Sequence, residues 1–290
     1  MEKFRLIPLL TAAVMGCTAL LAGCGKGSDS SSKAEEGAKT SDDGSINKDL
    51  TATELARLLG NGTNLGNTME AYGHKSYSAD TDPESFETLW GQPVTTEEMI
   101  KGMKASGFDS LRVPVAWTNA MEYEKGDYTI NEAYLDRVEE IINYALDNDM
   151  YVIINDHWDG SWWGMFGSSE QSDVDKAFEM YKSMWTQIAN RYKKYSDRLI
   201  FEGANEELGD RLNDTDVCKN SGSLSKAECY EMANKINQTF VDTVRATGGN
   251  NEQRFLLIAG YNTDITMTCS NKFQMPTDTA KDKLLLSVHY

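Results

Sequence analysis

Short apolar segments alternate with longer amphipathic segments between residues 50 and 290, and this alternation limits the possible folds more than any other feature. The apolar segments are nearly continuous, as strands buried on both faces should be. They lie at residues 111–115, 151–154, 199–201, 255–259 and 284–288, and a further strand is predicted near residues 62–65. Repeated strand–helix units with right-handed crossovers form a parallel sheet, so the sequence predicts an α/β fold.

The segments between the strands have the period of amphipathic helices. Apolar residues recur at alternating steps of four and three from Val174 to Tyr192, which places them on one helix face. A second helix is predicted over residues 135–146. A third begins at the Thr-Thr-Glu-Glu of residues 95–98, a capping-box pattern, and ends at Gly107. Such stripes indicate packing against the sheet.

Two architectures accommodate these six strands: an open doubly wound sheet, and a (β/α)8 barrel of which about six units are present. The first strand is followed by Gly66-Asn67-Thr68 and by neither GxGxxG nor GKS/T, which disfavours the nucleotide-binding forms of the open sheet. Polar residues follow separate strands, where a barrel collects its active site. These are Asn67, Arg112, His157, Asn205, Glu206 and His289. We therefore predict a partial (β/α)8 TIM barrel.

The first 24 residues have the layout of a bacterial lipoprotein signal peptide. Lys3 and Arg5 precede an apolar run over residues 6–23, and small residues lead directly into Cys24. We expect lipidation of Cys24 to anchor an exported protein at the bacterial cell surface, with membrane contact only through the lipid. An uncleaved membrane helix is the alternative, because the run is close to the minimum of about 18 residues that spans a bilayer.

The sequence therefore divides into three segments. Residues 1–24 form the signal peptide. Residues 25–47 are rich in Ser, Asp and Glu and lack apolar periodicity, which predicts a flexible linker. Residues 48–290 form the predicted partial (β/α)8 barrel domain.

The net charge argues against nucleic-acid binding, and the small number of potential metal ligands argues against a metal scaffold. The 28 basic and 45 acidic residues give a formal charge of -17, which would repel nucleic-acid phosphates, so we expect no nucleic-acid partner. Three histidines and five cysteines without a CxxC pair are too few soft ligands for a metal scaffold. His157 and Asp159 could be drawn as a metal pair, but no third ligand is evident. We expect neither a metal nor a cofactor.

Three cysteines follow the lipidation site. Outside the cell, Cys218 and Cys229 either close a loop disulfide or remain separate thiols. The odd count leaves at least one of the three, Cys269 included, unpaired within the chain.

Glu206 is the leading candidate for acid–base chemistry. It follows the strand at residues 199–201, and a carboxyl that is partly desolvated at a barrel mouth can act as a general acid near neutral pH. Asn205 beside it can hydrogen-bond a sugar hydroxyl, and Arg112 and His157 lie at neighbouring strand ends.

Aromatic side chains are candidates for sugar stacking, because flat rings suit the CH faces of pyranoses. Trp162 and Trp163 lie on the Gly160–Gly167 loop, and we expect at least one of these neighbours to be exposed. Trp90, Trp158 and Tyr261 are further candidates, although core packing explains any single one equally well.

Several motifs in order resemble the cellulases of glycoside hydrolase family 5. They span residues 50–290 and are Gly62-Thr63-Asn64-Leu65-Gly66-Asn67-Thr68, Trp90-Gly91-Gln92-Pro93-Val94-Thr95-Thr96, Gly107-Phe108-Asp109-Ser110-Leu111-Arg112-Val113-Pro114-Val115-Ala116-Trp117, Asn155-Asp156-His157, Phe201-Glu202-Gly203-Ala204-Asn205-Glu206, Ala259-Gly260-Tyr261-Asn262 and Ser287-Val288-His289-Tyr290. Motifs in register are far more specific than any one alone.

The resemblance implies a (β/α)8 barrel that hydrolyses β-1,4-linked polysaccharides with retention of configuration. It implies that Glu206 is the acid/base and that Asn205 holds the 2-hydroxyl. Arg112 would steady the nucleophile by its charge. His157 and His289 would line the subsite of the cleaved bond.

The family's nucleophile is a Glu after the seventh strand, whereas six strands are predicted here. Retaining hydrolysis needs two carboxyls about 5 Å apart. Glu202 precedes Glu206 by four residues, about 13 Å along an extended chain, and is interpreted as structural. We therefore expect an incomplete copy of a longer enzyme, inactive in this form.

Two positions depart from many relatives. Trp158 follows His157 where a second His is common. Glu207 replaces a Pro after Glu206 and would raise the pKa of the acid/base if both carboxyls were buried and charged.

Three functions remain after the sequence analysis. An endo-β-1,4-glucanase is favoured, with xyloglucan, xylan or mannan as alternative substrates. A carbohydrate-binding lipoprotein without catalysis is compatible with the missing nucleophile. A solute-binding lipoprotein would need two lobes and a hinge, whereas the sequence has one repeated pattern.

Overall fold

The computed structural model describes residues 42–157, 159, 162–214 and 222–290. Its frame is one sheet of parallel strands that pair in chain order. The strands are β1 Gly62–Asn64, β2 Ser110–Val113, β3 Tyr151–Asn155, β4 Leu199–Glu202, β5 Leu256–Asp264 and β6 Leu284–His289. All six strand predictions are confirmed, and β5 is longer than expected because it continues through a register irregularity after Ala259.

Helices connect these strands. They are α1 Ala52–Leu58, α2 Pro83–Glu87, α3 Glu97–Ala105, α4 Glu132–Asp147, α5 Gln171–Arg191, α6 Lys226–Ala246 and α7 Ile265–Thr268. The three helix predictions are confirmed as α3, α4 and α5. The start of α3 differs in detail, because Thr96 caps it by accepting from the backbone of Met99 without the reciprocal carboxylate bond of a capping box.

The strand order distinguishes the two predicted architectures. A doubly wound sheet reverses its strand order beside its first strand, whereas a barrel adds each strand on the same side of the last. Here the order from β1 to β6 contains no reversal, so the six strands form a half-barrel.

Side chains inside the half-barrel follow the layering of TIM barrels, in which alternate strands supply one layer. Arg112 of β2 contacts Glu202 of β4, and Ser287 of β6 contacts the same carboxylate. On the outer side, Trp185 of α5 packs between Phe201 of β4 and Phe240 of α6. The sheet is thus packed on both faces, which explains its continuous apolar strands.

The predictions for the N-terminal segment mostly concern residues that the structure does not describe. The signal peptide, Cys24 and residues 25–41 of the linker lie outside the described residues. Within the described ranges, no helix combines the length and apolarity that crossing a bilayer requires.

Candidate active site

The polar residues predicted at the strand ends meet at one edge of the sheet. His289 ends β6 and Glu206 follows β4, and His289 Nδ1 lies 2.9 Å from Glu206 Oε1. Both side chains are accessible, with 38% and 47% exposure respectively. Glu206 is therefore less desolvated than the sequence suggested, and its hydrogen bond to His289 fixes its position.

Arg112 organises the floor of the site. Its Nε donates to Glu202 Oε2 at 2.6 Å, and its NH2 group donates to Asn205 Oδ1 at 2.9 Å. Ser287 Oγ donates to the other Glu202 oxygen at 2.8 Å. Because Glu202 is fully buried and already paired, the interpretation of this carboxylate as structural is supported.

The Arg112 contact also orients Asn205. Since the guanidinium is a donor only, the atom that faces it is the amide oxygen. The amide nitrogen of Asn205 is then the atom left to donate to a hydroxyl beside Glu206.

His157 is held as a neutral imidazole. Burial, and then the charges of Arg112 and His289, lower the pKa of His157 to about 3. Val115 N donates to Asn155 Oδ1, which turns the amide nitrogen of Asn155 towards His157 Nδ1 at 3.2 Å. Nδ1 is therefore the acceptor, and the ring proton lies on Nε2.

Glu207 differs from Glu206 in its exposure to solvent. It is buried, and its Oε2 accepts from the backbone N–H of Asn205 at 2.8 Å. Burial raises the pKa of Glu207 to about 8. Glu207 would raise the pKa of Glu206 only if both carboxyls were buried and charged. Glu206 is exposed, so this condition is not met.

Asn67 lies at the end of β1 in a left-handed conformation, with φ 63°. The backbone N–H groups of Asn67 and Thr68 donate to the carboxylate of Glu70. Burial raises the pKa of Glu70. These contacts fix the turn that carries Asn67 after β1.

The expectation that Trp162 or Trp163 is exposed is wrong. Each is 1% exposed, and their rings stack with centroids 4.3 Å apart, next to Tyr181. The backbone turns at Trp162, with φ -80° and ψ -26°, instead of extending, so the neighbouring rings face the same side. Neither ring has the free face that sugar stacking requires.

Tyr261, a further candidate for sugar stacking, is also unavailable to a sugar. Its side chain is fully buried, stacks on Tyr230 at 3.7 Å and donates from its hydroxyl to Asp210 at 2.7 Å. Trp90, in contrast, is 43% exposed and contacts Tyr72 edge-on. Trp158 lies outside the described residues.

Sequence reasoning assigned no role to Ser287, although it quoted this residue within a motif. A charged residue at the end of a fully apolar strand, such as Glu202, signals a buried partner, but not which one. Cys229 is a buried thiol and Cys269 an exposed one, while Cys218 lies outside the described residues. The described ranges contain no group of three or more His, Cys, Asp or Glu arranged to hold a metal ion.

A half-barrel of parallel strands with a carboxylate, an amide, an arginine and two histidines at its strand ends belongs to the (β/α)8 class of proteins. Residues 72–290 match the family Cellulase (glycosyl hydrolase family 5). The chain belongs to this family.

Curated relatives agree with this assignment. The chain is 39% identical to a xyloglucan-specific endo-β-1,4-glucanase of Bacteroides ovatus, over 84% of the chain and 45% of the relative. It is 36% identical to endoglucanase A of Paenibacillus barcinonensis, over 84% of the chain and 59% of the relative. The chain thus spans about half the length of these relatives.

Solved structures show the same fold. A GH5-4 broad specificity endoglucanase of Ruminococcus champanellensis with bound cellotriose is 39% identical, with a TM-score of 0.71 over 83% of this chain and 66% of that one. A family 5 enzyme of Prevotella bryantii, solved as a mutant with a xyloglucan tetradecasaccharide, is 35% identical with a TM-score of 0.71, over 83% of this chain and 66% of that one.

Proposed function

We propose that the protein is a retaining endo-β-1,4-glucanase, with Glu206 as its general acid/base. The observation that carries the proposal is the placement of Glu206 after β4 in a family 5 chain, where His289 contacts it. Retention requires a second carboxylate as the nucleophile, and the family resemblance assigns this role to a Glu after a seventh strand.

The chemistry follows from these atoms. In the first step Glu206 protonates the glycosidic oxygen while the nucleophile attacks the anomeric carbon and forms a glycosyl-enzyme. In the second step Glu206 takes a proton from water, which attacks the same carbon and releases the sugar. His289 supports both steps, because its hydrogen bond holds one carboxyl oxygen and leaves the other for proton transfer.

The remaining residues position the substrate. Asn205 donates its amide N–H to the 2-hydroxyl, since Arg112 occupies its oxygen. His157, which stays neutral, donates from Nε2 to a second sugar hydroxyl. Asn67 and the exposed face of Trp90 extend the contacts along the polymer.

The substrate we propose is a β-1,4-glucan of the plant cell wall, including xyloglucan. One relative is named as xyloglucan-specific, and neighbouring structures contain cellotriose or a xyloglucan oligosaccharide. Cellulose and xyloglucan share the β-1,4-glucan backbone, so one cleft suits both if it leaves room for branches.

The test is hydrolysis by the chain expressed with its complete reading frame. Carboxymethylcellulose, barley glucan, xyloglucan, xylan and mannan are compared, and the anomer released first is identified by proton NMR. We expect the glucans to be cut with retention, Glu206→Gln to lose this activity, and Glu231→Gln on the exposed face of α6 to keep it. Binding without cleavage would support the non-catalytic lipoprotein instead.

A further inference from the structure

Three carboxyls lie together beneath the active site, and the proposed reaction uses none of them. Asp156 and Asp159 follow β3, and Glu207 follows β4. We call these three residues the acid cluster. All are buried, with exposures of 0%, 0% and 1%. The cluster flanks the proposed reaction centre, because Asp156 precedes His157 and Glu207 follows Glu206.

Hydrogen bonds tie the cluster to three loops. Asp159 accepts from Thr118 N at 3.0 and 3.1 Å and from the Thr118 hydroxyl, which holds the loop after β2. Glu207 accepts from the backbone of Asn205, which holds the loop after β4. The loop after β3 carries Asp156 and Asp159 themselves.

Asp156 does not fit this cluster as a carboxylate. Both of its oxygens, and Oε1 of Glu207, have no donor among the described residues. Asp156 lies within hydrogen-bonding reach of Asp159. An ionised carboxyl is an acceptor only, so two ionised aspartates there would repel each other; one proton converts the repulsion into a hydrogen bond from Asp156 to Asp159.

The charges around the cluster do not neutralise it. The ionisable groups that face it are the buried phenols of Tyr134 and Tyr181 and the side chains of Arg112 and Arg211. The phenols are neutral, and the two arginines lower the pKa of Glu207 less than burial raises it. Burial raises the pKa of Asp159 to about 6, and that of Asp156 well above its usual value.

We propose that Asp156, Asp159 and Glu207 are positioning residues that join the loops carrying His157 and Glu206, with one proton retained on Asp156, one on Glu207 and Asp159 as the acceptor between Asp156 and Thr118. Asp156 donates its proton to Asp159, which stays bound to Thr118. Protonated Glu207 keeps its contact with Asn205. The kinetic part of this inference rests on the proposed function, whereas the protonation itself does not.

The direction of the pH dependence follows from linkage. A carboxyl whose pKa is higher in the folded than in the unfolded state makes folding progressively less favourable as pH rises between the two values. For Glu207 this interval runs from its ordinary value of 4.5 to about 8. Raising the pH through this interval places additional charge in a buried site and loosens the three loops.

The first test observes the proton in the whole chain. Infrared spectra of wild type with and without 13C-labelled Asp, compared at about pH 6, would contain an isotope-shifted band of a carboxylic acid, which ionised aspartates lack. The band should be absent from Asp156→Asn. Its absence from wild type would overturn the inference, and this measurement does not depend on whether a variant folds.

The second test measures thermal unfolding between about pH 5 and about pH 9. Asp156→Asn and Glu207→Gln keep the shape and remove one titrating group each, so their Tm should fall less across this range than that of wild type. Exposed Asp175→Asn on α5 should follow wild type. Parallel curves for all four proteins would contradict the inference.

Kinetics separate this inference from the proposed function. If Glu206 is the acid/base, the alkaline loss of kcat/KM on glucan should shift upward in Glu207→Gln. A protein with the infrared band but no glucanase activity would refute the proposed function and leave the acid cluster standing. Activity without the band would do the reverse.

Discussion

At the scale of single residues, Arg112 connects structure to function. Its side chain is 17% exposed, and its guanidinium neutralises the carboxylate of Glu202, whose side chain is 1% exposed, while a second nitrogen orients Asn205. A buried ion pair contributes little beyond hydrophobic packing, but removing one partner leaves the other charge unpaired. The same side chain therefore controls both the stability of the half-barrel and the orientation of the amide beside Glu206.

Replacing Arg112 by Ala should lower the free energy of unfolding by about 3 to 5 kcal/mol, because the Glu202 charge stays buried. Chemical denaturation measures this change. Exposed Arg57→Ala should stay within about 0.5 kcal/mol of wild type. Adding Glu202→Gln to Arg112→Ala should recover part of the loss, and a double variant that is less stable than Arg112→Ala would contradict the ion-pair account.

The sequence predicted which residues lie at the site better than it predicted which of them contact each other. Asn205, Glu206, His157 and His289 follow strands, and the carboxyl ends of parallel strands share one edge. The contact of Arg112 with Glu202 spans 90 positions and depends on how strands register in space. The burial of Trp162 and Trp163 also depends on contacts between distant residues, because a turn stacks the two rings next to Tyr181 of α5.

At the scale of elements, one buried side chain holds the lower end of the sheet together. Arg254 precedes β5 and is fully buried. It donates to the side chain of Asn251, to the carbonyls of Tyr195 and Ser196 between α5 and β4, and to the carbonyl of Leu199, the first residue of β4. Burial removes these carbonyls from water, so the guanidinium supplies the hydrogen-bond donors that their oxygens would otherwise lack.

Arg254→Met preserves the length of the side chain and removes its donors. We expect it to destabilise the protein by at least about 3 kcal/mol, because several buried carbonyls lose their partner at about 1 to 3 kcal/mol each. Thermal unfolding measures the loss, and Arg57→Ala again serves as the exposed control. A Tm within 1 or 2 degrees of wild type, on the order of less than 1 kcal/mol, would refute this role.

Strands and helices were predictable because their signals are local. Apolar runs located the six strands of the described residues, and a period of 3.6 residues located α3, α4 and α5, whereas the 21-residue α6 was not among the predicted helices. The irregularity after Ala259 includes left-handed backbone at Asn262 and Thr263, and Thr263 gives no local signal for it because β-branched residues rarely adopt this conformation. The sequence also favoured the barrel over the doubly wound sheet, because nucleotide-binding loops are missing and polar residues follow the strands, and the strand order confirms the barrel.

At the scale of the whole molecule, we propose that the protein is exported and anchored by lipid at Cys24. The support is the sequence of residues 1–24, in which a basic start and an apolar run lead to a cysteine. Multiple acyl chains hold a protein at a membrane firmly, whereas a single chain binds marginally.

Replacing Cys24 by Ser should release the protein from membranes, because the site of acylation is lost. Fractionation of cells expressing each form, with immunodetection, measures the distribution. Cys269→Ser, which alters an exposed thiol far along the chain, is the matched control and should remain with membranes. Membrane retention of Cys24→Ser would instead support an uncleaved helix over residues 6–23.

The central claim is that Glu206 donates the proton to the leaving oxygen, and leaving-group dependence tests it most directly. With the complete reading frame, Glu206→Gln should cut β-glucan about 10²- to 10⁴-fold more slowly, since general acid catalysis contributes this factor. An aryl β-cellobioside with a strongly acidic phenol needs no proton, so formation of its glycosyl-enzyme, seen as a burst of phenol, should be nearly unchanged. Equal losses on both substrates, or glucan activity within about threefold of wild type, would contradict the assignment.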